Sequence, residues 1–208
     1  MNILREYTLG DMLLTYLLDD EQHVGMRLIP VSTKDRVLEK DVKLEPLVQL
    51  HARGDQMPAG YGNGHTMATT PASEAMKFVS QEQDGDTIIT TVSDGAGRVA
   101  RHDLTWCEGN RAVRVSVSFE NQSERDITLD LLASLNVGML TPFTPGDAVN
   151  ALRLHRARSN WAVEGLLETM TIEELSLETA WSTHAMRVEK FGQLGSMPVR
   201  GYFPFAAV

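Results

Sequence analysis

With 208 residues, 19 Lys plus Arg against 28 Asp plus Glu and a formal net charge of −9, the chain can build a sizeable core but carries the wrong sign for phosphate backbones or anionic membrane surfaces. Neither nucleic acid nor a membrane is expected as a partner. A single cysteine, Cys107, excludes an internal disulfide and a thiolate-built zinc site, and with no basic neighbour it reads as a half-buried thiol beside Trp106 rather than a nucleophile.

The N-terminus has no basic segment leading into an apolar one, and the most apolar early run, Met12 to Leu18, is short and bracketed by Asp11 and by Asp19-Asp20-Glu21. A cytoplasmic address fits both features. Short strand-like runs lie at Asn2 to Thr8, Met12 to Leu18, His23 to Val31 and Leu44 to Leu50.

Between Arg53 and Thr70 the chain gathers Gly54, Asp55, Pro58, Gly60, Tyr61, Gly62, Asn63, Gly64, His65 and Thr66. Loops of this length are uncommon in compact domains unless they bind or pack on something. The segment reads either as a long connector or as a binding or interface loop whose Tyr61 and His65 suit sugars through stacking and hydrogen bonds. It is no phosphate cradle, because Gly60 to Gly64 lacks a following Lys-Ser/Thr or a helix pattern.

Period two dominates the middle of the chain. Asp86 to Val92, Arg98 to Trp106 and Arg111 to Phe119 form a predicted meander, with turns at Ser93 to Gly97 and Glu108 to Asn110. In the last of these, Val113, Val115, Val117 and Phe119 share one face, the pattern of a one-sided antiparallel strand. After a turn at Asn121 to Glu124, Ile127 to Leu140 is almost continuously apolar, as expected of a strand covered on both faces, with Gly138 as a bulge. Two stacked sheets explain the combination. Farther on, Val163, Leu166, Leu167 and Met170 follow helical spacing and predict a helix from Trp161 to about Leu175, although Leu175 and Leu177 alternate.

The six histidines, at 23, 51, 65, 102, 155 and 184, include no pair at the spacing of a metal-binding helix, so no metal and no cofactor is expected. Carboxylate pairs such as Asp19-Asp20, Glu173-Glu174 and Asp84 with Asp86 sit in polar turns, where no pKa shift is expected. Arg156, Arg158, Arg187 and Arg200 interleave with Trp161, Glu164, Glu168, Trp181 and Glu189, residue types suited to Arg-carboxylate pairs that lock sheets or a domain junction. No linker and no fixed-period repeat divides the chain, which reads as one all-β domain over residues 1–208. Its last residues, Tyr202-Phe203-Pro204-Phe205-Ala206-Ala207-Val208, are apolar, an end that predicts further chain to cover it.

Three stretches carry a family resemblance: Leu154 to Glu168, Trp181-Ser182-Thr183-His184, and Arg187 to Phe205 with its Gly195-Ser196-Met197-Pro198-Val199-Arg200-Gly201-Tyr202-Phe203-Pro204-Phe205 core. These, with Gly54-Asp55, Pro58, Gly60-Tyr61, Gly64, Thr66-Met67 and Phe78 to Glu82, resemble the N-terminal domain of glycoside hydrolase family 36, the microbial α-galactosidases. The resemblance implies a two-sheet β-supersandwich of the galactose-mutarotase-like kind, with strands rather than a helix from Trp161 to Leu177. It also implies a following (β/α)₈ barrel that carries two catalytic aspartates of a retaining hydrolase acting on α-galactosides.

Neither the Lys-Trp-Asp nor the Ser-Gly-Gly segment of that barrel occurs in this chain, so no residue is assigned a catalytic role. The partners implied are the barrel itself, neighbouring subunits of a homo-oligomer, and the α-galactoside substrate. Asp55 and His65 are the candidate substrate-binding residues, although His65 and Ala68-Thr69 depart from the arginines and asparagine usual there, and a turn-capping role is the plain alternative for Asp55. Two other functions stay open: an independent carbohydrate-binding module using Trp106, Trp161 or Trp181 as a platform, and a mutarotase-like isomerase, which would need a converging His and Glu pair.

Overall fold

A computed structural model describes residues 1–40, 44–55, 70–177, 189, 191–192 and 201–208. The chain divides into two compact units, one of residues 1–58 and 69–139, the other of residues 59–68 and 140–208.

The first unit opens with three antiparallel strands, β1 (Asn2–Leu9), β2 (Met12–Leu18) and β3 (Val24–Pro30), in the order β1-β2-β3. Gly10 makes the first turn at φ +63°, a conformation that a side chain resists, and a Cβ there would meet the Trp106 ring at 3.2 Å. β2 is buried from Leu13 to Leu17, as befits the central strand. A short strand β4 (Leu50–Ala52) and one helical turn, α1 (Pro71–Ala75), come next; the Thr70 hydroxyl accepts the Ser73 N–H and Pro sits at the first helical position.

Four strands then form a meander in sequence order: β5 (Lys77–Asp84), β6 (Thr87–Ser93), β7 (Arg98–Cys107) and β8 (Ala112–Asn121). In β8 the alternate residues Val113 to Phe119 are half-buried and the residues between them exposed, as the period-two pattern requires. Leu14, Tyr16, Val24 and Met26 of the first sheet and Ile88, Val92, Ala100 and Leu104 of the meander share one core with Leu47, Val48, Leu50 and Ala52. The fold is all-β and sandwich-type.

Two expected strands come out differently. Leu44 to Leu50 is a strand only at Leu50; the segment before it is irregular but buried, with Leu47 tied to the sandwich by its N–H donating to the Val24 carbonyl at 2.7 Å. Pro46 lacks the N–H that a ladder needs there. The run from Ile127 to Leu140 contains only β9 (Leu129–Leu132), which pairs with β4. Because β4 is three residues long, the ladder ends where its partner ends. Gly138 is no bulge: it stands where a Cβ would come within 2.4 Å of Glu45 Cγ, so its role is close approach.

The second unit contains an antiparallel ribbon, β10 (Arg153–Ala157) with β11 (Leu167–Thr171), extended by bridges from His155 to Ala207 and from Arg158 to Tyr202. The helix expected from Trp161 is absent. Ala162 at φ +65° and Gly165 at φ +79° break it into successive turns, and its second half is β11, followed by a turn that buries Leu175. The strands implied from 161 to 177 are thus present over Leu167–Thr171, and the apolar spacing mixes turn residues with strand residues.

Candidate functional site

Asp55 follows Gly54, at φ +89°, just beyond β4. Its carboxylate accepts from Arg98 Nη2 at 3.0 Å and Nη1 at 3.3 Å, with the two side chains 15% and 23% exposed. Arg98 Nε also lies 3.7 Å from Asp94, whose other oxygen accepts the N–H groups of Ala96 and Arg98 at the β6–β7 turn. Both Asp55 oxygens are therefore engaged by a guanidinium, a latch between the end of β4 and that turn. His65, the other candidate substrate residue, lies outside the described residues, as does most of the loop around it.

In the second unit the expected Arg-carboxylate pairs form. Arg156 on β10 faces Glu168 on β11 in register, donating from Nε to Oε2 at 3.1 Å, and donates from Nη1 to Glu189 Oε2 at 3.2 Å. Its guanidinium lies 4.4 Å from the Tyr202 ring centre and 5.5 Å from that of Phe191, and the two rings meet edge to face at 5.7 Å. Tyr202 donates its hydroxyl to Glu168 Oε2 at 2.8 Å, and Arg158 Nε and Nη2 take the other oxygen.

That hydroxyl holds the Glu168 carboxyl below the usual range, against an opposing effect of burial and with help from Arg158 and Arg156. An anion so gripped neither donates a proton nor is free to attack. Arg187, Arg200, Trp181 and His184 lie outside the described residues.

The four histidines among the described residues, His23, His51, His102 and His155, have separate sets of partners. His155 Nδ1 pairs with the Thr169 hydroxyl at 2.8 Å, and His51 Nδ1 lies 4.0 Å from Asp130, which Arg53 grips at 2.6 Å. His102 is fully buried on β7 opposite Thr90 of β6, and neither of its ring nitrogens has a hydrogen-bond partner. Burial lowers it to about 4, so at neutral pH it is an uncharged core side chain. Gln81 reaches Thr90 at 2.9 Å and Tyr7 reaches Gln81 at 3.3 Å, a buried polar row that stops short of the imidazole.

His23 is densely contacted. Nδ1 lies 2.7 Å from Asp19 Oδ2, and Nε2 lies 2.7 Å from Lys77 Nζ and 2.9 Å from the Glu74 carbonyl. Asp19 departs from the expectation that no turn carboxylate is shifted. Burial raises it, but the His23 N–H, the imidazole and the Glu21 N–H together bring it below its ordinary value.

Among the described residues no group of three or more His, Cys, Asp and Glu side chains could hold a metal ion, and no helix is long and apolar enough to cross a membrane. Trp106 packs against the core, whereas Trp161 is 82% exposed.

Comparisons with family models, with curated proteins and with solved structures found no match to this chain.

Sequence reasoning named Glu168, Arg156, Arg158 and Glu189 but missed Arg98 as the partner of Asp55. It also missed the Asp19-His23-Lys77 chain. Asp19 and His23 sit four residues apart across a hairpin turn, a visible signal, but Lys77 is 54 residues farther on and only the fold brings it in.

Proposed function

We propose that this chain is a non-catalytic β-sandwich domain of a retaining α-galactosidase-type glycoside hydrolase, a scaffold for a catalytic barrel and for neighbouring subunits. The reading rests on the resemblance in residues 54–67, 78–82, 154–168, 181–184 and 187–205. The observation that carries it is the state of Asp55 and Glu168, two paired carboxylates in those stretches. Asp55 is held by Arg98, and Glu168 by Arg156, Arg158 and Tyr202.

A glycosidase acid needs a raised pKa and a nucleophile needs an open approach. Paired carboxylates at a ribbon and a turn serve rigidity instead. The loop that follows Asp55 is the segment this reading would place near a sugar, and a cytoplasmic address belongs to the same proposal. The test is p-nitrophenyl α-galactoside incubated with purified residues 1–208. No release of nitrophenolate above the buffer rate is expected; turnover by residues 1–208 would overturn the assignment, and its loss in Asp55→Asn or Glu168→Gln would show that these carboxylates are not structural.

Trp161 favours a second reading, an independent carbohydrate-binding module, because an indole 82% exposed at a ribbon tip is a ready stacking platform. Galactose titration followed by tryptophan fluorescence separates the two. The scaffold reading expects no saturable change at millimolar sugar; a saturable change lost in Trp161→Ala favours the module.

A further inference from the structure

Between the β2–β3 turn and the start of β5, the imidazole of His23 is surrounded by acceptors. Asp19 Oδ2 lies 2.7 Å from Nδ1, the Glu74 carbonyl 2.9 Å from Nε2, and Glu21 Oε2 4.0 Å from Nδ1. Into this setting Lys77 brings its Nζ to within 2.7 Å of Nε2. Asp19 takes the Nδ1 proton, so one proton remains to be placed between Nε2 and Nζ.

With the proton on lysine, Nε2 accepts from the Lys77 ammonium but also faces the Glu74 carbonyl, another acceptor, and that second contact gains nothing. With the proton on Nε2, the imidazolium donates on both sides to acceptors already in place, and the lysine is left as a neutral amine with a lone pair. Glu21 does not decide between the two, since its carboxylate is 3.8 Å from Nζ and 4.0 Å from Nδ1 and its side chain is 78% exposed.

His23 is 9% exposed and so shielded from competing water, while Lys77 is 39% exposed and can be reached from solvent. A base that is buried, oriented by a carboxylate and in hydrogen-bond contact with an accessible amine is the arrangement that activates an amine nucleophile.

We propose that Lys77 is a reactive lysine, a modification site for activated acyl groups, with His23 as its base and Asp19 as the positioning residue that orients the imidazole. In the reaction with an acyl phosphate, the ammonium proton passes from Nζ to His23 Nε2. The freed lone pair attacks the acyl carbon, the C–N bond forms and the C–O bond to phosphate breaks. Phosphate leaves with the electron pair and takes up the second amine proton, and His23 returns its own proton to solvent. The product is an amide at Lys77 with no net oxidation.

The chain has five lysines, so the others act as internal controls. Residues 1–208 are incubated with acetyl phosphate from pH 6.5 to 8.5, digested after Glu, and the acetylated fraction is followed by mass spectrometry. Lys77 is then the only lysine in peptide Ala75–Glu82 and Lys34 the only one in Gln22–Glu39. Lys77 is expected to acetylate at least about tenfold faster than Lys34, below the full effect of a positioned base. Its rate should also hold up at the acid end, where that of Lys34 falls away.

In His23→Gln and Asp19→Asn the Lys77 rate should drop toward that of Lys34 and take on the same pH profile, with Lys34 unchanged as the mark of an intact fold. The comparison within the unaltered protein needs no variant. Equal rates at Lys77 and Lys34 there would overturn the proposal, and so would a Lys77 advantage that persists in a folded His23→Gln protein.

Discussion

The guanidinium of Arg156 lies 4.4 Å from the centre of the Tyr202 ring, while the hydroxyl of the same tyrosine donates to Glu168, the carboxylate that Arg156 also holds. One tyrosine thus serves the cation with its face and the anion with its edge. Tyr202→Phe should keep the stacking and lose the hydroxyl, at a cost of about 1 kcal/mol for a hydrogen bond to a partly screened charge. Tyr202→Ala should cost more, because the stacking and the edge contact to Phe191 go as well. Urea unfolding midpoints of the two variants check the ranking.

The Arg98 latch is open to a double-mutant cycle. Arg98→Met leaves Asp55 and Asp94 without their cation, so it should destabilise more than Asp55→Asn, and the double variant should recover part of the loss. A coupling of about 1 kcal/mol is expected for a pair of this modest exposure. Additive losses would mean that the pair is idle.

His102 makes stability depend on acid. Its folded value of about 4 lies below the ordinary 6.5, so the folded protein refuses a proton that the unfolded chain accepts. Stability is fully present above about pH 6.5 and is lost as pH falls through about 4, the total loss approaching about 3 kcal/mol. His102→Leu removes two unpartnered ring nitrogens from the core and should be neutral or stabilising by about 1 kcal/mol at pH 7, while flattening that part of the pH curve. Denaturation at pH 7, 5 and 4 measures both effects.

Gly25 lies within β3 where a Cβ would approach the Glu45 carbonyl oxygen to 2.4 Å and two Leu44 side-chain atoms to 2.8 and 2.9 Å. Gly25→Ala must push the buried Leu44 segment away and should cost about 2 to 3 kcal/mol, in the range of core overpacking. Gly85→Ala, with open space around it but φ +56°, should cost less. Thermal unfolding of the two variants gives the comparison.

Where period two is strict, as in Val113 to Phe119, the residues alone place the strand to within a residue or two, because the element satisfies its own pattern. Apolar content without a pairing partner misleads. Leu44 to Val48 and Leu135 to Leu140 are hydrophobic enough for strands, yet ladder length is set by the three residues of β4, a long-range fact. The helical spacing at Val163 to Met170 fails because positive φ at Ala162 and Gly165 interrupts it. Arg156, Arg158 and Glu168 could be named as ion pairs from residue type and spacing, since β10 and β11 are close in sequence. The pairs Asp55 with Arg98 and His23 with Lys77 join positions more than forty residues apart, and no local signal marks them.

The scaffold reading is tested most directly by expressing the reading frame that contains this chain to its stop codon and assaying the product on p-nitrophenyl α-galactoside beside residues 1–208. The account predicts turnover by the longer protein with retention of anomeric configuration, and none by the shorter one. A longer protein without α-galactosidase activity, or equal turnover by residues 1–208 alone, would contradict it.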